Sequence, residues 1–125
     1  MIKRSTPEIG GLPPSVLSEN NMASLVGVGN LYFASGLVSC QSGDMAAQLG
    51  DIRRQLVALL ATEGMTPANV VATTTYTTDM PALLEHGQVL FEAFSAGHPT
   101  STYIEVKGLA SPELLVEFVV TAAKV

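Results

Sequence analysis

The sequence predicts an α+β protein in which two helices pack on one face of a mostly antiparallel sheet. Its 125 residues are 47% hydrophobic and 14% charged, which is enough apolar material for the core of one domain. One segment repeats apolar residues at helical spacing, and β-branched or alternating segments lie around it. These observations give the order β-β-α-β-α-β-β within a single domain, residues 1–125.

The first part of the chain, residues 1–23, is rich in Pro, Gly, Ser and Asn, so we predict an irregular arm. Apolar runs at 24–28 and 31–35 follow it and predict two strands. Gly29 and Asn30 separate these runs, and a two-residue spacer of this kind is typical of a β-hairpin.

The first helix has the strongest signal in the chain. A loop that begins at Gly36 leads to Asp44, a candidate N-cap. Gly64 is placed to end the helix as its C′ residue, and Pro67 lies just beyond. The apolar stripe between these ends follows helical spacing: Met45, Leu49, Ile52, Leu56, Leu59 and Leu60.

The second half of the chain predicts a strand, a helix and two further strands. A β-branched run favours a strand at 70–78, and Asp79 is then a candidate N-cap with Pro81 in the first helical turn. A strand at 101–106 and a last strand within "ELLVEFVVTAA" complete the sheet. The residues predicted to face inward from the second helix are Leu83, Leu84, Leu90, Phe91 and Phe94.

Alternation along the last two strands predicts which side chains face the core. In the last strand the apolar face comprises Leu114, Val116, Phe118, Val120 and Ala122, which leaves Glu117 and Val119 on the other face. In the strand before it we assign Thr102, Ile104 and Val106 to the core. The remaining face is polar and is expected to form the wall of a pocket: Ser101, Tyr103 and Glu105.

Charge and composition exclude several classes of function. The net charge is −5 and the densest basic spot is Arg53-Arg54, which disfavours binding to a phosphate backbone. No apolar run is long enough to span a membrane, no secretory signal is evident, and a lone Cys40 cannot form an intrachain disulfide, so we expect a cytoplasmic protein. The low charged fraction indicates surface hidden in a homo-oligomer.

The chemical motifs of common enzymes are missing from the sequence. There is no glycine-rich nucleotide fingerprint, no Gly-x-Ser-x-Gly elbow and no cluster of metal ligands around His86 or His98. Glu105 and Glu117 are the strongest candidates, because an interface carboxylate with a raised pKa can act as a general acid or base. The alternative is that each faces solvent or pairs with a lysine.

Several stretches are specific when taken as a set: "GVGNLYFASG", "GDMAAQL", "LLATEGMTPANVVATTTYTTDM", "FEAF", "HPTSTYIEV" and "LLVEFVVTAA". They resemble the Rid family of reactive intermediate deaminases, also called YjgF-type proteins, from about residue 24 to the end. The resemblance implies a chorismate-mutase-like fold and a homotrimer whose sheets pack inward as a barrel. It also implies three pockets at subunit clefts that hydrolyse reactive enamines and imines without a cofactor or metal.

The family's usual site residues are not all present at the matching positions. Ser101 stands where the resemblance implies an arginine that grips a substrate carboxylate, and Val119 stands where it implies a glutamate that positions water. Tyr103 replaces a small residue. The other expected substrate-binding positions are Met22 for an entry-loop tyrosine, Gln88 for an asparagine, and Ser35, Gly36 and Glu105.

Two functions therefore remain open, and a third is disfavoured. In the first, the protein hydrolyses a small imine, enamine or related carbonyl compound other than 2-aminoacrylate, with Glu117, Tyr103 and Ser101 as catalytic residues. In the second, the same pocket binds a small molecule without turnover, as a sensor or carrier. A ribonuclease activity fits poorly with the acidic charge.

Overall fold

The computed structural model describes residues 1–125, and a seven-stranded mixed sheet is its central element. The strands are β1 (Ile2–Ser5), β2 (Leu25–Val28), β3 (Leu31–Ala34), β4 (Leu37–Val38), β5 (Val70–Thr77), β6 (Thr100–Glu105) and β7 (Val116–Ala123). The α-helices are α1 (Pro14–Glu19), α2 (Met45–Ala61), α3 (Met80–His86) and α4 (Gln88–Phe91).

The strands lie in the order β1-β2-β3-β7-β5-β6, and β4 pairs with β7 beyond the end of β3. Every pairing is antiparallel except that of β5 with β6, which is parallel because α3 and α4 form a crossover between them. Since α2, α3 and α4 all pack on one face, the predicted α+β class is confirmed.

The hairpin between β2 and β3 forms as its sequence predicts. Gly29 and Asn30 are the two loop residues, and Gly29 has a φ of 62°, the conformation needed at the first position of a type II′ turn. The register places Val26 opposite Phe33 and fixes the faces of both strands.

Helix α2 supplies most of the core. The Asp44 side chain accepts a hydrogen bond from the Ala47 N–H and caps the helix, and the six residues of the predicted apolar stripe are all buried. At the other end, the Met65 N–H donates to the Leu60 carbonyl, and Gly64 has a φ of 70°. This geometry confirms Gly64 as the C′ residue of a Schellman motif.

A buried amide anchors the loop that precedes β7. Gln48 Nε2 donates to the carbonyls of Gly43 and Glu113 at 3.0 and 2.9 Å, and its Oε1 accepts the Leu115 N–H at 2.9 Å. The entry of β7 is therefore fixed against α2, which sets the position of every side chain along that strand.

A buried carboxylate holds the loop that follows β4. Asp51 is 3% exposed and accepts hydrogen bonds from the Ser39 hydroxyl, the Cys40 N–H and Gln55 Nε2. A buried charge needs several donors of this kind, so the loop conformation and the charge depend on each other.

The structure corrects four expectations about secondary structure. Residues 1–23 are not wholly irregular, because they contain β1 and α1. The segment after Gly36 contains β4 rather than loop alone, and the second helix is broken at Gly87 into α3 and α4. Leu84 is 65% exposed, so its predicted inward position is wrong. The preceding residue, Leu83, takes the buried position, and consecutive helix residues point about 100° apart.

No helix combines the length and the apolar character needed to cross a bilayer.

Candidate active site

The sheet has one face covered by helices and one face without cover, named here the open face. Pairing along the sheet assigns these side chains to it: Ile2, Arg4, Val26, Val28, Leu31, Phe33, Thr74, Tyr76, Thr102, Ile104, Glu117, Val119 and Thr121. Leu31, Phe33 and Val28 are 41%, 46% and 47% exposed. A contiguous apolar surface of this kind is typical of a protein interface.

Glu117 is the one carboxylate among the strand residues of the open face. It lies on β7, half-buried, with Tyr76 on β5 and Val38 on β4 as its register partners. Its carboxylate packs over Gly36, where a Cβ atom would collide with Oε2. The absence of a side chain at Gly36 therefore makes the space that the Glu117 carboxylate occupies.

The predicted faces of β6 are reversed in the structure. Ser101 and Tyr103 are in register with Thr73 and Thr75, which are buried on the helix-covered face. The Tyr103 ring stacks on Phe91 of α4, with centroids 5.3 Å apart and planes 13° apart.

The assignment of Thr102, Ile104 and Val106 to the core is consequently wrong. Thr102 and Ile104 lie on the open face, while Val106 lies just beyond the end of β6. The cause is the edge position of β6, because both of its faces are exposed and alternation between polar and apolar residues then does not report the core side.

A cleft of about 350 Å³ lies on the helix-covered side of β6 and is named here the Ser101 cleft. It unites three predicted site residues, Gln88 at the start of α4 with Ser101 and Tyr103. The other lining residues are Thr73, Phe91, Glu92, Phe94, Ser95, His98 and Pro99.

His98 and Glu92 were not among the predicted site residues, although both contribute to the Ser101 cleft. His98 precedes Pro99 in the turn into β6. Because it is close to Ser101 in the sequence, sequence analysis could have predicted that it lies near the same cleft. Glu92 lies 3.8 Å from Arg53, which offsets part of its charge.

The structure does not bring the three predicted catalytic residues together within one chain. Ser101 and Tyr103 lie on the helix-covered face, whereas Glu117 lies on the open face of the same sheet. Each chain therefore holds two separate polar groups of residues, the Ser101 cleft and the Glu117 carboxylate.

Ser35 and Gly36 lie between β3 and β4 and adjoin Glu117 through Gly36. The Ser35 hydroxyl donates to the Ala23 carbonyl at 2.6 Å. Both residues also line a small pocket of about 30 Å³, which has room for about one water molecule. Ser35 thus holds the loop before β2 next to the Gly36 position.

Three other predicted substrate-binding residues lie apart from the Ser101 cleft. Met22 is 44% exposed and lines a different surface cleft with Arg4 and Asn21. Glu105 accepts a hydrogen bond from the Met80 N–H at the start of α3, so its carboxylate serves as a second cap there. Val119 is on the open face, one strand position from Glu117 along that side.

The remaining reactive side chains form no catalytic cluster. Partial burial, together with the nearby Asp51 carboxylate, raises the pKa of the Cys40 thiol, which disfavours the reactive thiolate. His86 Nε2 lies 3.6 Å from the Glu85 carboxylate on the surface of α3. No group of three or more His, Cys, Asp or Glu side chains is arranged to hold a metal ion.

Comparisons with known proteins identify relatives over almost the whole chain. Residues 14–124 match the family model described as endoribonuclease L-PSP. Rv2704 of Mycobacterium tuberculosis, described as a member of the highly conserved YjgF/YER057c/UK114 family, is 29% identical, with a TM-score of 0.86 over 99% of this chain and 100% of that one. No curated protein matches the chain.

Two further solved structures have the same architecture. NMB1025 of Neisseria meningitidis, described as a YjgF protein, is 28% identical with a TM-score of 0.79, over 100% of this chain and 96% of that one. YyfA of Yersinia pestis, described as a Rid family protein of unknown function, is 20% identical with a TM-score of 0.83, over 98% of this chain and 100% of that one. These similarities confirm the predicted chorismate-mutase-like fold.

Proposed function

The chain belongs to the endoribonuclease L-PSP family, the YjgF/Rid proteins, and on that basis we propose that it hydrolyses small, reactive, neutral imines or enamines without a cofactor. The observation that carries the proposal is the Glu117 carboxylate, which is half-buried on an otherwise uncharged part of the open face and packs over Gly36. A partly desolvated carboxylate is suited to general base catalysis.

The reaction site is proposed to form when three chains assemble with their open faces inward. Exposed apolar side chains on that face, such as Leu31 and Phe33, support this arrangement, since water would leave them on assembly. In the assembly, Glu117 of one subunit is expected to meet the edge strand β6 of its neighbour. The two groups of residues that one chain separates would then share a cleft between subunits.

The proposed chemistry uses only side chains of the protein and water. Glu117 accepts a proton from a water molecule as the water oxygen attacks the imine carbon, and the imine nitrogen takes up a proton. Collapse of the resulting carbinolamine breaks the C–N bond and releases ammonia or an amine together with the carbonyl product. Tyr103 and Ser101 supply hydroxyl groups that hydrogen-bond to the nitrogen and to the developing oxygen.

The proposed substrates lack a carboxylate because the Ser101 cleft offers mainly neutral partners. Ser101, Gln88 and Tyr103 are hydrogen-bonding groups without charge, and the carboxylate of Glu92 in the same cleft repels an anion. An anionic substrate would lose hydration there without gaining a bidentate cationic partner. The substrate class is therefore expected to differ from 2-aminoacrylate, which is an acid.

The name of the family model also raises the possibility of a ribonuclease, which the charge of this chain does not support. The chain has eleven acidic residues and six basic ones, and Lys3, Arg53 and Arg54 lie close to carboxylates. A groove that binds RNA needs unpaired cations along the phosphate path.

Binding without turnover is a second candidate function, and the separation of Glu117 from the Ser101 cleft within one chain favours it. If assembly leaves these residues apart, each cleft is a binding site without a general base. A sensor or carrier would then use the Ser101 cleft alone.

The test is release of ammonia or carbonyl product from freshly generated imines, half of them neutral and half bearing a carboxylate. Turnover of the neutral set that is lost in Glu117→Gln supports the proposed hydrolase. Turnover of the carboxylate set at an equal rate contradicts the proposed selectivity. No turnover of either set by an intact oligomer contradicts hydrolysis and favours binding alone.

A further inference from the structure

Thr75 is the one buried side chain in the protein whose polar atom lacks a hydrogen-bond partner. It is fully buried in the middle of β5. The residues two positions away on the same face are buried as well, but Thr73 donates to the Thr100 carbonyl at 3.0 Å and Thr77 to the Leu115 carbonyl at 2.8 Å. A buried hydroxyl without a partner is unfavourable, so a hydrogen bond from the Thr75 hydroxyl to a ligand would offset that cost.

Aromatic residues flank Thr75 on both neighbouring strands. Thr75 is in register with Tyr103 on one side and with Phe118 on the other. Phe91 stacks on Tyr103 and also contacts Phe118 at a centroid distance of 6.2 Å, so its ring spans the strand that carries Thr75.

Tyr103 is the part of this enclosure that adjoins the Ser101 cleft. Its ring lines the cleft, and the residue is 40% exposed on the edge strand β6. Within one chain, the Thr75 hydroxyl therefore lies next to a side chain that borders solvent. Rotation of Tyr103 away from Phe91 would connect the cleft to the hydroxyl.

We propose that Tyr103 is a gate in the Ser101 cleft, and that a neutral planar ligand takes its place on Phe91 and accepts a hydrogen bond from the Thr75 hydroxyl. The ligand class is an aromatic or conjugated compound with a carbonyl or imine acceptor. This inference rests on the proposed function and specifies its substrate class.

The chemistry of the enclosure selects against charge and in favour of a flat acceptor. Rings from Phe91 and Phe118 offer stacking and apolar contact, which suit a planar ligand. One neutral hydroxyl cannot compensate the lost hydration of a carboxylate. Thr75 is thus a specificity-determining residue, distinct from the residues proposed to carry out hydrolysis.

The experiment measures binding of three probes of similar shape by NMR titration: toluene, benzamide and benzoate. Benzamide is expected to bind the wild-type protein, to shift the Tyr103 and Phe91 ring signals, and to bind more tightly than benzoate. Thr75→Val keeps the shape and removes the hydroxyl, so benzamide affinity should fall about tenfold while toluene affinity stays unchanged. Thr74→Val, which removes a hydroxyl from the open face, is the matched control and should change neither the benzamide affinity nor the toluene affinity.

A second variant tests the gate without relying on Thr75→Val. Tyr103→Ala removes the ring, so benzamide should bind more tightly than to the wild-type protein, and adding Thr75→Val should reverse that gain. The proposal is overturned if benzamide does not shift the Tyr103 and Phe91 signals, or if Thr75→Val weakens toluene and benzamide equally. Since these assays need no turnover, imine hydrolysis with unaltered benzamide binding in Thr75→Val rejects this inference alone.

Discussion

Tyr103 and Glu117 point to opposite faces of one sheet, although only strand β5 lies between the strands that carry them. Tyr103 is directed toward Phe91 on the helix side, and Glu117 lies over Gly36 on the open face. A single chain therefore cannot place the Tyr103 hydroxyl and the Glu117 carboxylate on one small substrate. Any reaction that uses both needs residues from two subunits.

Glu117→Gln is expected to lower imine turnover by about 10² to 10⁴-fold, because an amide cannot accept the proton from the attacking water. The substitution changes no hydrogen bond of the fold, so thermal unfolding should be unaltered. Turnover is measured by ammonia release from neutral imines. The control is Glu85→Gln on the surface of α3, and equal activity of the two variants would remove Glu117 from the mechanism.

Gly36→Ala is expected to displace the Glu117 carboxylate, since the new Cβ atom would occupy its position. The end of a glutamate side chain can rotate away, so the fold should persist while turnover falls on the order of 10²-fold from misplacement of the base. Gly108→Ala is the control, because a Cβ atom at Gly108 meets open space. A crystal structure of the alanine variant with Glu117 unmoved would contradict this reading.

Phe33→Glu is expected to dissociate the proposed trimer, because it places a charge on the open face where subunits would pack. Phe33 is 46% exposed within one chain, and Val57 on the outer side of α2 is 45% exposed. Val57→Glu is therefore a matched control that should leave the oligomer intact. Sedimentation velocity gives the mass of the wild-type protein and of both variants. A monomeric wild-type protein would contradict the proposed trimer.

Thr77→Val and Thr75→Val are expected to change stability differently, although both residues are fully buried on the same face of β5. The Thr77 hydroxyl donates to the Leu115 carbonyl and accepts a hydrogen bond from the Asp79 N–H. Loss of this hydroxyl should lower the free energy of unfolding by about 1–3 kcal/mol. Thr75 has no partner, and valine there should be neutral or stabilising. Urea unfolding compares the two, and an equal loss would indicate a hidden partner for Thr75.

Lys3→Met is expected to lower the melting temperature more at pH 7 than at pH 3. Lys3 Nζ lies 2.8 Å from the carboxylate of Glu63, which also accepts from the Tyr32 hydroxyl. The Lys3 hydrogen bond holds the pKa of Glu63 below its ordinary value of 4.5. A lowered carboxylate pKa stabilises the fold above the ordinary value, and this stability is lost as pH falls through the lowered pKa.

At alkaline pH, the ion pair between Lys3 and Glu63 loses its stabilising effect as pH rises. The bond to Glu63 raises the pKa of Lys3 above 10.5, so its contribution is complete below that pH and is lost as pH rises past the raised pKa. Lys107→Met, which removes a lysine that forms no ion pair, serves as the control. If the difference in melting temperature between Lys3→Met and the wild-type protein is the same at pH 3 and pH 7, the ion pair is not its cause.

The parts of the fold that sequence predicted are those with a strong local signal. Helix α2 combines an N-cap, a continuous apolar stripe and Gly64, while β7 alternates over its whole length between one covered and one open face. The hairpin at Gly29 needs only the two residues that form it. In each case local sequence and burial agree, so the pattern was sufficient.

The parts that sequence did not predict depend on contacts between distant residues. β1 has no alternation of its own and is held by pairing with β2 and by the bond from Lys3 to Glu63. The faces of β6 were reversed because an edge strand with both faces exposed is not sorted by hydrophobicity. The grouping of Gln88 with Ser101 was expected from the resemblance alone, and His98 was missed.

The single-sided pairing of β6 has a consequence for how the protein fluctuates. Only β5 hydrogen-bonds to it, whereas β5 itself is bonded on both sides. Within one subunit, amide hydrogen exchange should therefore be fastest along β6 among the longer strands, through local opening that leaves the rest of the sheet intact. The strand that carries Ser101 and Tyr103 can thus detach and return many times for each global unfolding event.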